Sequence, residues 1–193
     1  MSREKIKHAA LDLFRRYSYV KTSVADIATA AGIGKGTIYL SFKTKEEILY
    51  ALLDEDIQEL RNRTDPTFLD PKVSLEAKLD QFSANIVYLH FQIRDLMFGS
   101  FENVEGRELQ DVHLKFSVYI DGVCDLMLHV VAIHGYPPSP QRRAAIREFL
   151  LFISGRILIY ILSHDWNARD EVYRLVPVWA HQIFSTLVLK EAA

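Results

Sequence analysis

Apolar residues return every three or four positions along most of the chain, the spacing of amphipathic helices rather than of strands. Ile6, Ala9, Ala10, Leu13, Phe14 and Tyr17 mark a first helix over about residues 3–17. Val24, Ile27, Ala28 and Ala31 mark a short second one. Ser23, with Asp26 three residues on, is a capping-box-like pair that starts it, and Gly32 supplies a left-handed residue to end it. A third helix runs from about Lys35 to Ser41, with Ile33, Ile38 and Phe42 facing inward. Its N-cap is Gly34, weaker in that place than Ser or Thr. Thr44 with Glu47 is a second capping box and opens a fourth helix to about Arg63, with an apolar stripe from Ile48 to Leu60. Pro66, Asp70 and Pro71 are expected to break it.

Longer helices follow at about residues 74–98, 107–134, 140–164 and 169–189, with a break and a short helical turn between Gly99 and Gly106. Ser139 caps the third of these, with Pro140 at its first position. Its later part, Phe149 to Leu162, is apolar nearly all round and so is expected to be buried on several sides. At 14 residues with Arg156 inside, it is too short and too charged to span a membrane. Pro177 either kinks the last helix or marks a restart. The expected fold is all-α with about nine helices: a three-helix head, residues 1–46, and a helical-bundle body, residues 47–193. The last two helices cannot bury all their apolar residues against one domain of this size. Pairing with symmetry mates in a homodimer is expected, and a monomer with a thick core is the competing reading.

The second and third helices, joined through a glycine-containing turn, form a helix-turn-helix, which lays its second helix in the major groove of double-stranded DNA. Charge agrees. Residues 1–50 hold nine Lys or Arg against five Asp or Glu, a net of +4, so the remainder of this −2 chain carries −6. On the third helix Lys35, Gly36, Thr37, Tyr39 and Ser41 are left to face outward. Gly36 permits a close approach of backbone to DNA, and Thr37 offers a hydroxyl and a methyl to base edges. Tyr39 and Lys35 can reach phosphate oxygens.

These residues carry a specific resemblance. The helix-one pattern ending at Phe14 and Tyr17, then Thr22-Ser23-Val24-Ala25-Asp26-Ile27-Ala28, Ala31-Gly32-Ile33, Gly36-Thr37-Ile38-Tyr39, Phe42 and Lys45-Glu46-Glu47-Ile48-Leu49 resemble the TetR family of bacterial transcription regulators over residues 4–50. The resemblance implies an all-α homodimer, a palindromic operator and a ligand cavity in the carboxy-terminal domain. It matches Ser23, Tyr39 and Lys45 to phosphate-contacting positions, and Lys35, Gly36 and Thr37 to base-contacting or groove-floor positions. Gly34 and Leu40-Ser41 depart from the family's usual residues.

Signatures of catalysis are missing: there is no H-E-x-x-H, Gly-x-Ser-x-Gly, phosphate-binding glycine loop or C-x-x-C. No enzyme activity, metal or cofactor is expected. The single cysteine, Cys124, excludes an internal disulfide, and with no evident signal peptide it points to a reducing cytoplasm. The body offers a set of apolar residues with sparse polar anchors, as a small-molecule site requires: Phe82, Asn85, Tyr88, Gln92, His113, Phe116, Tyr119, Phe152 and Arg156. Plain core packing is the alternative for each aromatic. Arg156, if buried, needs a partner: the acidic head of a ligand, or Asp121, Asp125 or Glu148. The functional expectation is a repressor released from its operator by a small, largely apolar ligand such as a fatty acyl compound. The competing reading is a helical bundle that binds a small molecule or protein partner without ligand-controlled DNA release.

Overall fold

The computed structural model describes residues 2–98, 106–163 and 169–190. Among them there are helices and no strands: α1 (Ser2–Tyr17), α2 (Val24–Ala30), α3 (Lys35–Ser41), α4 (Lys45–Leu69), α5 (Leu75–Phe98), α6 (Gly106–Ile133), α7 (Pro140–Ser163) and α8 (Arg169–Phe184), followed by a π-helical turn (Ser185–Leu189). The expected break between Gly99 and Gly106 falls outside the described residues. The chain divides into two compact units, Met1–Arg61 with Phe91–Val104, and Asn62–His90 with Glu105–Ala193.

In the first unit, α2 and α3 are seven residues each, too short to persist in water alone. Tertiary burial holds them. Ile27 is fully buried, Ile38 and Phe42 nearly so, as are Ile6, Ala10 and Phe14 of α1 and Ile48 of α4, and α1, α2 and α3 pack against one another. Each large side chain so buried contributes about 1.5–3 kcal/mol. Lys7, buried on α1, is paired with Glu4 at 2.7 Å and with Glu55 of α4, which ties the first helix to the fourth.

Helix starts are set by local chemistry. Thr44 Oγ1 accepts from the Glu47 amide at 3.2 Å, while the Glu47 carboxylate reaches one residue further out, to the Lys43 amide at 2.7 Å. Ser74 Oγ accepts from the Ala77 amide, and Ser139 Oγ from the Arg142 amide. Gly32 and Gly135 take left-handed conformations, with φ of 65° and 87°.

Pro66 does not end α4. The helix runs through it to Leu69, because Phe68 and Thr64 are buried and packing outweighs the lost hydrogen bond. The stop comes at Asp70, whose carboxylate accepts from the Lys72 amide in the following turn. Pro177 likewise lies inside an uninterrupted α8, with Val176 and Ala180 on either side of it fully buried.

The second unit is a helical bundle in which α7 packs against α6 and α8. Its centre is aromatic: the Phe149 ring lies 6.0 Å from that of Phe82 and meets Phe184 edge-on at 5.1 Å. The stretch from Phe149 to Leu162 is only partly interior. Phe149, Ile153 and Ile157 are fully buried, but Phe152 is 47% and Ile159 67% exposed.

The two glycines of the helix-turn-helix differ in kind. Gly32 needs its positive φ, whereas Gly34 sits at φ −71°, ψ 145°, open to any residue, and an added Cβ would meet nothing closer than Thr37 Oγ1 at 3.9 Å. Urea unfolding is expected to show Gly32→Ala less stable by about 1–2 kcal/mol, and Gly34→Ser more stable by about 0.5 kcal/mol, since the hydroxyl supplies the missing cap.

Candidate nucleic-acid interface

At the start of α2, Ser23 and Asp26 form a complete capping box. Ser23 Oγ accepts from the Asp26 amide at 3.2 Å. The Asp26 carboxylate accepts from the Ser23 amide at 2.8 Å and from its hydroxyl at 2.7 Å. These bonds from Ser23, side chain first, hold the Asp26 carboxyl below the usual carboxylate range. The hydroxyl proton of Ser23 is therefore already committed, and a phosphate would have to compete with Asp26 for it.

On α3, residues step round the axis by about 100° each. With Ile38 fixed inward, Lys35 and Tyr39 fall on one flank, both exposed, and Thr37 and Ser41 on the other, both half-buried. Gly36 points away from the core and is exposed. The five outward candidates are thus brought together around one short helix. Its end is held from α1: Arg3 donates to the Ser41 carbonyl at 2.8 Å and stacks over the Phe42 ring at 4.0 Å. A cation at a helix C-terminus complements the free carbonyls there.

Lys45, at the start of α4, faces inward. Its ammonium donates to the carbonyls of Tyr19 at 2.7 Å and Thr22 at 2.9 Å, and lies 4.1 Å from the Tyr19 ring centroid. Burial lowers its pKa. Tyr19 in turn donates its amide to the Leu96 carbonyl of α5 at 2.9 Å and packs edge-on against Phe14. Sequence reading missed the supporting roles of Arg3 and Tyr19, because both depend on contacts between residues far apart in the chain.

The sequence model of bacterial regulatory proteins of the tetR family matches residues 6–52. A fatty acid metabolism regulator protein of Bacillus subtilis (strain 168) is 33% identical over 178 residues, covering 89% of this chain and 87% of the relative. The chain belongs to the tetR family. It is a helix-turn-helix transcriptional regulator whose partner is DNA. Solved structures of other regulators share the fold. The chain superposes on a transcriptional regulator from Cytophaga hutchinsonii ATCC 33406 with a TM-score of 0.66 at 16% identity, over 96% of this chain and 97% of that one. It superposes on the fatty acid degradation regulator FadR from Bacillus halodurans with a TM-score of 0.65 at 17% identity, over 96% of both.

The candidate effector residues of this tetR-family chain do not converge on one described cavity. Phe82 is buried against Phe149. Asn85 is half-buried and its side-chain oxygen accepts from Gln81 at 3.0 Å. Tyr88 is half-buried, and Gln92, also half-buried, lies on the part of α5 that belongs to the first unit. The side chains of His113, Phe116 and Tyr119 lie outside the described residues. Arg156 is not buried. It is exposed, with its guanidinium 4.7 Å from the Trp179 ring centroid, so aromatic stacking satisfies the cation that was expected to need a carboxylate. Asp121 and Asp125 are engaged elsewhere, with Arg147 at 2.6 Å and Arg143 at 3.1 Å. Two described cations of this unit are buried: Arg142, 2% exposed, donates to the Val188 and Pro137 carbonyls, and Lys78, 1% exposed, has an ammonium with no hydrogen-bond partner, pushed down in pKa by burial. Among the described residues no three His, Cys, Asp or Glu side chains group as metal ligands would, and no helix is long and apolar enough to cross a membrane.

The capping box gives the head a pH dependence of known sign. A depressed folded pKa stabilises the head above the unfolded value, about 3.9, and that contribution is lost as pH falls through the folded value. In urea titrations wild type should exceed Asp26→Asn in stability at pH 7, with the gap closing as pH drops below about 4. A gap unchanged down to pH 3 would contradict this account.

Proposed function

We propose that the protein is a repressor, released from a palindromic operator by a small, largely apolar ligand of the fatty acyl class. The observation that carries this reading is the 33% identity to a fatty acid metabolism regulator over 89% of the chain. It extends well past the helix-turn-helix, into the part of the chain where an effector would bind. On this reading residues 1–46 are the DNA-binding domain and residues 47–193 the ligand-binding and dimerisation domain, and the protein acts by binding rather than by catalysis. Ser23, Lys35, Gly36, Thr37, Tyr39 and Ser41 meet DNA, and Lys45, held by the Tyr19 and Thr22 carbonyls, supports that surface from within. Phe82, Asn85, Tyr88, His113, Phe116 and Tyr119 serve the ligand, whereas Phe152 and Arg156 lie on the exposed face of α7 and Gln92 belongs to the first unit. α4 supports the coupling, since one unbroken helix runs from the first unit into the second. Ligand and operator then weaken each other's binding by the same factor.

Selection from random DNA should return a palindrome with half-sites about 34 Å apart, and dodecanoyl thioester should release it while dodecanol does not. Thr37→Ala is expected to relax preference at one base pair. Lys35→Met should weaken all sequences alike and lower the salt slope by about 0.9. Retention of sequence-selective binding at saturating acyl thioester would refute ligand release.

The homodimer is proposed through α7 and α8. In the single chain Phe152, Ile159 and Val178 expose apolar surface on these two helices, at 47%, 67% and 52%. A symmetric interface would cover it. Sedimentation should show a dimer for wild type and a monomer for Ile159→Glu, with helical content unchanged and operator affinity largely lost. An Ile159→Glu dimer of wild-type strength would exclude this interface.

A further inference from the structure

Leu40 is 88% exposed, the highest value among the exposed large apolar side chains of the described residues. Its place on α3 is what matters. Taking Ile38, 1% exposed, as the inward direction, steps of about 100° per residue put Gly36 and Leu40 each roughly 160° away, side by side on the outermost line of the helix. Thr37, one flank over and half-buried, borders that line. The surface so formed has no charge. It consists of a bare backbone at Gly36, a methyl and a hydroxyl at Thr37, and an isobutyl group at Leu40.

Base edges in the major groove offer hydrogen-bond donors and acceptors and one apolar group, the C5-methyl of thymine. Leucine can pair with none of the former. Buried against a donor or acceptor, it would leave that group without water and unpartnered, at a cost. Buried against a methyl, it removes apolar surface from water on both sides. Gly36, one turn earlier on the same line, has no side chain to hold the helix away from the groove floor. We propose that Leu40 reads thymine C5-methyl groups in the operator and is a specificity-determining residue of this regulator. The assignment rests on the reading that α3 enters the major groove.

The test uses the sequence selected by the full-length wild-type chain. Each thymine of a half-site is replaced singly by deoxyuridine, which keeps every hydrogen bond and removes only the methyl. Affinities are measured at one fixed salt concentration. Wild type should lose about fourfold in affinity at one or two positions, the equivalent of about 0.8 kcal/mol for one buried methyl group. Leu40→Ala, which removes no buried contact and should melt as wild type does, is expected to bind thymine and uracil DNA equally at those positions. Leu40→Met should retain the sensitivity. Wild type that selects a sequence but is indifferent to every uracil overturns the assignment, as does Leu40→Ala with the full wild-type sensitivity. Wild type that selects no sequence overturns the operator reading as well.

Discussion

A single ammonium fixes the geometry of the head. Lys45 reaches from the first turn of α4 to the carbonyls of Tyr19 and Thr22, at the junction between α1 and α2. That junction is not a relaxed turn. Ser18 sits at φ 74° without being glycine, a strain of about 1 kcal/mol. Local bonds offset it: the Ser18 amide donates to Phe14, its carbonyl accepts from the Thr22 hydroxyl at 2.7 Å, and its own hydroxyl accepts from the Lys21 amide. With Lys45 added, the carbonyls of Tyr19 and Thr22 gain a charged donor in a partly buried place, where such bonds are stronger than neutral ones. Tyr19 is thereby tied to three helices, through its amide to α5, its carbonyl to α4 and its ring to Phe14 of α1.

α3 takes its position from burial and from α1 rather than from its own propensity. α3 has seven residues and no side-chain cap at Gly34, so it contributes little to its own stability. It is held by Ile38 and Phe42 below, and by Arg3 at its end. The partners in both restraints lie outside the helix. Gly36 and Leu40, both exposed, are open to selection for what they meet rather than for what they support.

Much of the fold was legible because the signals that set it are local. Ser23 with Asp26, Gly32, Ser139 with Pro140 and the three-four spacing of apolar residues each act within one or two turns, and the structure repeats them. Pro66 was misread for the same reason. A proline signal is local, but the burial of Phe68 that keeps α4 going is tertiary. Arg156 failed in the opposite direction. A long apolar run implied burial all round, yet the bundle buries Phe149, Ile153 and Ile157 and leaves Phe152, Arg156 and Ile159 on an open face. An open face of that kind is invisible to periodicity, because a stripe that meets another molecule has the same composition as one that meets the chain's own core. The inward reach of Lys45 was equally hidden, since nothing in its neighbours distinguishes a lysine aimed at carbonyls from one aimed at phosphate.

Charge and sequence preference are separated on the head, and this has a physical consequence for the proposed interface. Lys35 stands on a flank of α3, and the other basic residues of the first fifty lie off α3, while the outermost line, Gly36 and Leu40, is neutral. Phosphate neutralisation by the flanking cations releases counterions and weakens as salt rises. Apolar contact at the outermost line releases no ions, and its strength is set by area removed from water. Raising salt therefore strips nonspecific and specific complexes of the same electrostatic contribution and leaves the discrimination between bases almost intact. A head with its charges on the outermost line of α3 would instead lose affinity and selectivity together. On the proposed reading, the exposed leucine leaves apolar surface unburied in the free protein, and the regulator would keep its preference for sequence at ionic strengths where its grip on phosphate is weak.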